Sequence, residues 1–327
     1  MAPSPEVSVI VATYKQPFTT GLALQALFDQ RTDCTYEVIV CDDGSNPETI
    51  GVLLNLLAGA PVPARLAWQQ DRGFRLAASR NNAITIARGC ILVFLDGDLV
   101  PEEDFVQQHF SAHSSPETIA VGKRLWRCPE AVARHEWNIN DLWQLLRGDA
   151  ACDFQSKIVE SISLLGQHWR LKAKPWTSIQ GCNFSVDNST LIRFDEEMVG
   201  WGFEDVELAY SLNMVHGHQV AHVDAMAYDI QGWVDPREAW KQSDYVAHLC
   251  NGFRFLDRWA HVGLTPEEAI PRHCLDPETG LWSMASIRKA REATFDYRFM
   301  REWLVEHGHL PSPTVSGSSA GTGGAPR

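Results

Sequence analysis

The chain's first strong pattern is a continuous apolar, β-branched run from Val7 to Ala12. A run apolar at every position suits a strand covered on both faces. Two similar runs follow, Val38 to Cys41 and Ile91 to Leu95, with a shorter one from Arg65 to Trp68. Between them the apolar positions fall at helical spacing. Phe18, Leu22, Leu24, Leu27 and Phe28 after Pro17 predict one helix. Others are predicted from Pro47 to Leu57, from about Leu76 to Ala87, and from near Pro101. Strand–helix alternation of this kind predicts an α/β fold, an open and mostly parallel central sheet with helices on both faces.

Order returns later in strand-like segments, Ser178 to Val186 and His218 to Tyr228, with a helix at Glu204 between them. Lys123 to Pro175 has a weak pattern and is dense in tryptophan (Trp126, Trp137, Trp143, Trp169, with Trp176 just beyond). These read either as irregular core packing or as a platform for the flat face of a ligand. Packing is the better account of most of them. Pro236 to Gly308 reads as amphipathic helices, a C-terminal helical extension. Pro311 to Arg327, rich in Ser, Gly, Ala, Thr and Pro without an apolar period, reads as a disordered tail.

Composition narrows the field. Of 327 residues 45% are hydrophobic and 21% charged, an ordinary globular balance, while 28 Lys and Arg against 41 Asp and Glu leave a net charge of −13. Such a surface repels phosphate backbones, so no nucleic-acid partner is expected. It still leaves room for a local basic pocket for one or two phosphates. The longest apolar run, Cys90 to Leu95, is stopped by Asp96, well short of the roughly 20 residues of a membrane helix. The residues Met1 to Glu6 show no basic leader region, and none of the eight cysteines forms a CxxC pair. The expectation is a cytoplasmic, reduced protein with no transmembrane segment, zinc ribbon or disulfide framework.

In open α/β sheets ligands bind beyond the carboxyl ends of the strands. Thr13-Tyr14, Asp42-Asp43-Gly44-Ser45 and Asp96-Gly97-Asp98 all lie just past such ends. Asp96 and Asp98 offer oxygen ligands to a hard divalent cation shared with substrate phosphates. Alternatively, Asp98 caps the helix expected near Pro101. Asp43 is a carboxylate for a base N–H or a ribose hydroxyl, or part of a tight turn. Arg80 shares a helical stripe with Leu76, Ala83, Ile84 and Ala87, and a buried arginine needs a partner. A structural carboxylate is the simpler choice and a diphosphate the functional one. In Gly200-Trp201-Gly202-Phe203-Glu204-Asp205-Val206-Glu207, Asp205 lies three before Leu208 and seven before Leu212, on the inward stripe. That placement suits a general base aimed into a cleft better than mere complementation of a helix N-terminus.

Taken in order, Val7 to Tyr14, Asp42 to Ser45, Ser79-Arg80-Asn81-Asn82-Ala83 and Phe94 to Asp98 resemble glycosyltransferase family 2. Gly73 to Ala78, Gly181 to Ser185 and Trp201 to Asp205 are similar to the branch whose galactosyltransferase-type C-terminal motif is shared with chondroitin polymerases and β-1,4-galactosyltransferases. The resemblance covers roughly Val7 to Tyr228, with Lys123 to Pro175 unmatched. It implies a GT-A fold and inverting transfer of a hexose or N-acetylhexosamine from a UDP-sugar donor, assisted by manganese or magnesium. The acceptor hydroxyl would belong to a glycan, a peptide or a small metabolite. It further implies that Ala12, Tyr14 and Asp43 hold uridine and that Arg80 lies near the donor diphosphate and ribose. Asp96 and Asp98 would hold the metal, with Asp205 the base and Glu204 an acid contacting the acceptor.

Under this reading residues 1–122 hold the nucleotide-sugar and 123–234 form the acceptor side. Residues 235–310 are the helical extension, which packs on the acceptor face or builds a homodimer, and 311–327 the tail. One departure concerns the metal. Relatives often carry a ligating histidine near the place of Asp229, an acid here that offers the metal an oxygen ligand beside Asp96 and Asp98, while His216, His218 and His222 upstream read as ordinary packing. Two alternatives compete with this reading. Asp96 and Asp98 also fit the strand end of a haloacid-dehalogenase-like phosphohydrolase, which normally lies on its domain's first strand. A non-catalytic nucleotide-sugar-binding subunit would keep Asp43 but lose the acids.

Overall fold

The computed structural model describes residues 4–126, 152–153, 174–189, 192–230, 241–271, 273–275, 282–284 and 296–312. Four parallel strands carry the first third: β1 (Val7–Thr13), β2 (Tyr36–Asp42), β3 (Ala64–Trp68) and β4 (Ile91–Asp96). Between them run α1 (Pro17–Phe28), α2 (Pro47–Ala58) and α3 (Leu76–Ile86), close to where the apolar period placed them. The strands are apolar throughout because both faces are covered. Val7, Val9 and Val11 join Leu24 and Leu27 of α1 and Leu53 of α2 in one core. Ile10 and Ala12 turn the other way and join Ala77, Ala83 and Ile84 of α3 in a second. The two-residue alternation of a strand thus sorts one apolar run into two cores.

The spatial order is β3-β2-β1-β4. The chain's progression across the sheet therefore reverses at β1, which opens a crevice at the carboxyl ends. The sheet continues past β4 with β5 (Leu99–Pro101), β6 (Thr118–Trp126), β7 (Cys152–Asp153), β8 (Asn183–Asp187) and β9 (Gln219–Asp229). Their order is β4-β8-β6-β9-β5, with β7 beside β6. This half mixes directions, since β8 is antiparallel to both neighbours while β6 and β9 run parallel.

Further helices are α4 (Phe105–Ala112), α5 (Glu204–Tyr210), α6 (Gln242–Trp259) and α7 (Tyr297–Glu306). Leu249 and Phe253 of α6 and Leu304 of α7 enter the same core as α3. Among the described residues no helix is long and apolar enough to cross a membrane.

Three expectations change. The helix placed near Pro101 begins at Phe105, because Leu99–Pro101 pairs antiparallel with β9 instead. The cap proposed for Asp98 goes with it, as Asp104 holds the N-cap position. Ser178 to Cys182 is not strand: Pro175–Ser178 forms a 3₁₀ turn, and β8 starts only at Asn183. The C-terminal extension also contains an antiparallel pair, His273–Leu275 with Trp282–Met284. Trp176 is buried edge-on against Tyr210 and Phe255, so packing explains it. Trp137, Trp143 and Trp169 lie outside the described residues, as does the tail beyond residue 312.

Beneath β8 the buried His109 of α4 meets Ser185 Oγ and Asn183 Oδ1, each at 2.9 Å. Burial pushes its pKa down to about 3. Unfolded, the ring titrates near its ordinary value of about 6.5. The unfolded chain therefore takes up a proton that the folded chain refuses as pH falls from about 6.5 toward 3. Stability contributed by neutral His109 is lost across that window, at about 1.4 kcal/mol per pH unit. Urea midpoints should fall from pH 7.5 to 5, and fall less in His109→Gln. Equal falls in both proteins would remove His109 from the acid sensitivity.

Candidate active site

The tips of β1, β2 and β4 are tied together by backbone. Asp43 N–H donates to Thr13 O at 3.1 Å and Gly97 N–H to Ala12 O at 2.7 Å. That second contact explains the glycine in Asp96-Gly97-Asp98: a Cβ there would stand 2.7 Å from Thr20 Oγ1 and 2.9 Å from Ala12 O. The paired acids after β2 divide their work. Asp42 builds the turn, accepting from Gly44 N–H at 3.0 Å, Ser45 N–H at 2.6 Å and Ser45 Oγ–H at 2.6 Å. Asp43 is held by Arg75 N–H at 2.6 Å and Gln69 Nε2 at 2.5 Å, and burial raises its pKa. Each of its oxygens keeps a second lone pair. Tyr14 stands at the rim, donating to Asp71 Oδ2 at 2.9 Å, with Lys15 beside both.

Arg80 is the hub. Its guanidinium is 2% exposed and donates to Asp96 Oδ1 at 2.9 Å, Glu204 Oε1 at 3.0 Å and Gly181 O at 2.9 Å. Burial alone would lower its pKa, but Asp96 and Glu204 more than offset this and hold it charged. Arg80 thus joins the acid pair after β4 to the acid pair opening α5. Its partners are carboxylates, the simpler of the two partners anticipated for it.

Gly181 lies between them. It receives Arg80 on its carbonyl and donates its N–H to Asp205 Oδ2 at 2.6 Å. Any Cβ at Gly181 would come within 2.9 Å of Arg80 Nη1 and 3.0 Å of Asp205 Cβ. Asp205 also accepts Val206 N–H at 2.8 Å. Burial raises its pKa, and burial followed by the charge of Asp205 pushes Glu204 up to about 7, with Arg80 opposing. A carboxylate raised toward neutrality is a better proton acceptor than an ordinary one.

The loop leading into α5 is shaped by its glycines. Gly200 and Gly202 have φ of +79° and +89°, and Phe203 follows at +77°. Asn251 of α6 pins this loop, donating to Val199 O at 3.1 Å and Gly202 O at 2.9 Å. Trp201 is 50% exposed at its tip.

Asp98 sits deeper. Burial first, and then the charges of Asp96 and Asp229, push its pKa up to about 7, with Arg124 opposing. Its Oδ1 is buried with no hydrogen-bond partner. Orphaned buried carboxylate oxygens are rare, and one beside a second acid fits a hard cation that shares its coordination shell with phosphates. Asp229 is differently engaged, because its Oδ2 accepts Arg124 Nε at 3.0 Å and also Nη2. Among the described residues no three His, Cys, Asp or Glu side chains are grouped to enclose a metal by themselves. His216 and His218 lie at the opposite end of β9, about 30 Å along the strand from Asp229. The phosphohydrolase alternative also loses ground, since Asp96 ends the fourth strand of a parallel set and is ion-paired to Arg80.

The sequence reading missed Gln69, Asp71 and Arg124. Gln69 was findable, being a polar residue just past a strand end like the acids that were singled out. Arg124 gave no signal, because it lies in the weakly patterned stretch and meets Asp229 only across the sheet.

Comparisons with known proteins bear on the family and the fold. The family model described as Glycosyl transferase family 2 matches residues 8–159. The chain is 27% identical over 279 residues to validoxylamine A glucosyltransferase of Streptomyces hygroscopicus subsp. jinggangensis (strain 5008), covering 80% of this chain and 63% of that protein. It is 24% identical over 221 residues to chondroitin synthase of Pasteurella multocida (strain Pm70), covering 63% of this chain and 23% of that one. The chain thus spans less than two thirds of the length of either relative. In fold it is similar to the crystal structure of GalNAc-T7 with UDP, GalNAc and Mn2+, at a TM-score of 0.52 and 16% identity over 79% of this chain and 49% of that one.

Proposed function

We propose that this chain, whose residues 8–159 match the family model of glycosyl transferase family 2, is a glycosyltransferase that moves a hexose or N-acetylhexosamine from a UDP-sugar to an acceptor hydroxyl, with inversion. The observation that carries the proposal is the Arg80 bridge, which joins an acid pair suited to a cation with an acid pair suited to a proton acceptor. In this reading Ala12, Tyr14 and Asp43 receive the base and ribose, and the lone pairs left on Asp43 accept a base N–H. Asp96 and Asp98 would hold a divalent cation, which supplies charge stabilisation to the leaving diphosphate.

Asp205 then takes the proton from the acceptor hydroxyl as its oxygen bonds to the anomeric carbon and the bond from that carbon to UDP breaks. Attack from the face opposite the leaving group inverts the centre. The N–H groups of Gly181 and Val206 fix the carboxylate for this task. Glu204, tied to Arg80, borders the acceptor side, and the exposed face of Trp201 offers a surface for its sugar or ring.

The test is nucleotide release from a panel of UDP- and GDP-sugars, with manganese and with chelator. The name of the glucosyltransferase relative puts UDP-glucose at its head. Release from one UDP-sugar, abolished by chelator and accelerated by a hydroxyl-bearing acceptor, is expected. No turnover of any donor, together with no calorimetric binding of UDP, would sink the reading.

A further inference from the structure

Arg124 has no place in the mechanism above, yet it lies at the centre of the site's charge balance. Asp96, Asp98, Asp229, Glu204 and Asp205 bring five carboxylates into one region, against the two guanidinium groups of Arg80 and Arg124. Arg80 spends both terminal nitrogens on Asp96, Glu204 and Gly181. A nucleoside diphosphate entering here meets a net negative wall unless positive charge is fixed where its phosphates arrive. Arg124 is 26% exposed, whereas its partner Asp229 is 1% exposed. Its partner Asp229 pairs with Leu99 across β5 and β9, and Ile230 N–H donates to Asp98 O at 3.1 Å, so Arg124 and Asp229 lie beside the turn that carries Asp98. Arg124 Nη1 lies 3.9 Å from Cys182 Sγ, and the Cys182 carbonyl accepts Asp96 N–H.

The fold builds this position deliberately. Between Val121 and Lys123 the β6–β9 register shifts, so that Arg124 pairs with Ala227. Without the shift it would pair two residues earlier on β9, farther from Asp229. Asn183 pins the irregularity, donating to Lys123 O at 3.0 Å and Ala225 O at 2.9 Å. Only glycine fits at 122, where a Cβ would stand 2.2 Å from Asn183 Oδ1. Bulges of this kind are frequent beside active sites, where they re-aim a side chain.

We propose that Arg124 binds the donor diphosphate as a fixed cation beside the divalent site of Asp96 and Asp98, and that Asp229 positions Arg124 and is not itself a metal ligand. This rests on the nucleotide-sugar reading. The forked guanidinium suits phosphate oxygens, and Asp229, bound to its Nε edge, sets the direction of the fork.

Calorimetric titration of UDP and of uridine separates the possibilities, using the wild type, Arg124→Gln, Arg124→Lys and Asp229→Asn, each with manganese and with EDTA. Arg124→Gln should weaken UDP about 10-fold or more in both conditions, the loss of one charge-assisted phosphate contact, and leave uridine unchanged. Arg124→Lys should recover part of the loss. Asp229→Asn should weaken UDP as Arg124→Gln does, while manganese uptake at saturating UDP, followed by the electron spin resonance of free manganese, stays as in the wild type. Unchanged UDP affinity in Arg124→Gln overturns the proposal, as does loss of manganese uptake in Asp229→Asn. Equal weakening of UDP and uridine in both Arg124 variants would make the residue structural and also overturn it. A wild type that binds neither UDP nor uridine sinks the nucleotide reading itself, a separate outcome.

Discussion

Asp205→Asn is expected to slow sugar transfer by about 100- to 10,000-fold, the usual worth of a positioned general base, while UDP affinity stays within about twofold. The carboxylate is fixed by two backbone N–H groups, and asparagine nearly matches it in shape, so the loop before α5 should hold. What disappears is the proton acceptor. The raised pKa of Asp205, caused chiefly by burial, makes the native group a stronger base than an exposed aspartate. Asparagine has no comparable basicity. The measurement is turnover at saturating donor and acceptor, alongside UDP calorimetry on the same protein. If turnover stayed within threefold of the wild type, another group would have to be the base. If UDP affinity fell in step with turnover, Asp205 would be shaping the donor site instead.

The second large effect is on stability. Arg80→Met should cost about 3–5 kcal/mol, because removing one partner of a buried ionic network leaves the others charged and unpaired. Methionine fills much of the space but gives Asp96, Glu204 and the Gly181 carbonyl no donor in return. Arg80→Lys keeps the charge on a single nitrogen, which cannot reach three acceptors in a fork, and should lose roughly half as much. Urea unfolding of the three proteins decides the matter. A loss below about 1 kcal/mol in Arg80→Met would mean that the acids find water or protonate at little cost. In that case the bridge would not be what organises the site.

Much of this arrangement was legible in the chain. Val7 to Ala12 and Ile91 to Leu95 are apolar at every position, which in a strand requires cover on both sides, and α1 with α2 on one face and α3 on the other supply it. The acids at 42–43 and 96–98 were found because a polar cluster after a buried strand has nowhere to go but the sheet edge. Asp205 was singled out by its spacing to Leu208 and Leu212, both buried. Pro101 misled because proline opens helices often. Here the backbone around it was claimed by β9, a pairing about 125 residues away in the chain that no local signal announces.

The sequence by itself determined the order of elements, the buried face of each and the strand ends where chemistry gathers. These depend on periods of two and 3.6 residues, which any short stretch of chain carries. Only the tertiary structure decided which charges meet. Arg80 finds Glu204 across 124 residues and Arg124 finds Asp229 across 105. Asn183 locks a bulge on a strand 60 residues earlier. Such partners are chosen by the cost of leaving a charge or an amide buried alone. That cost exists only once the whole core has closed around them.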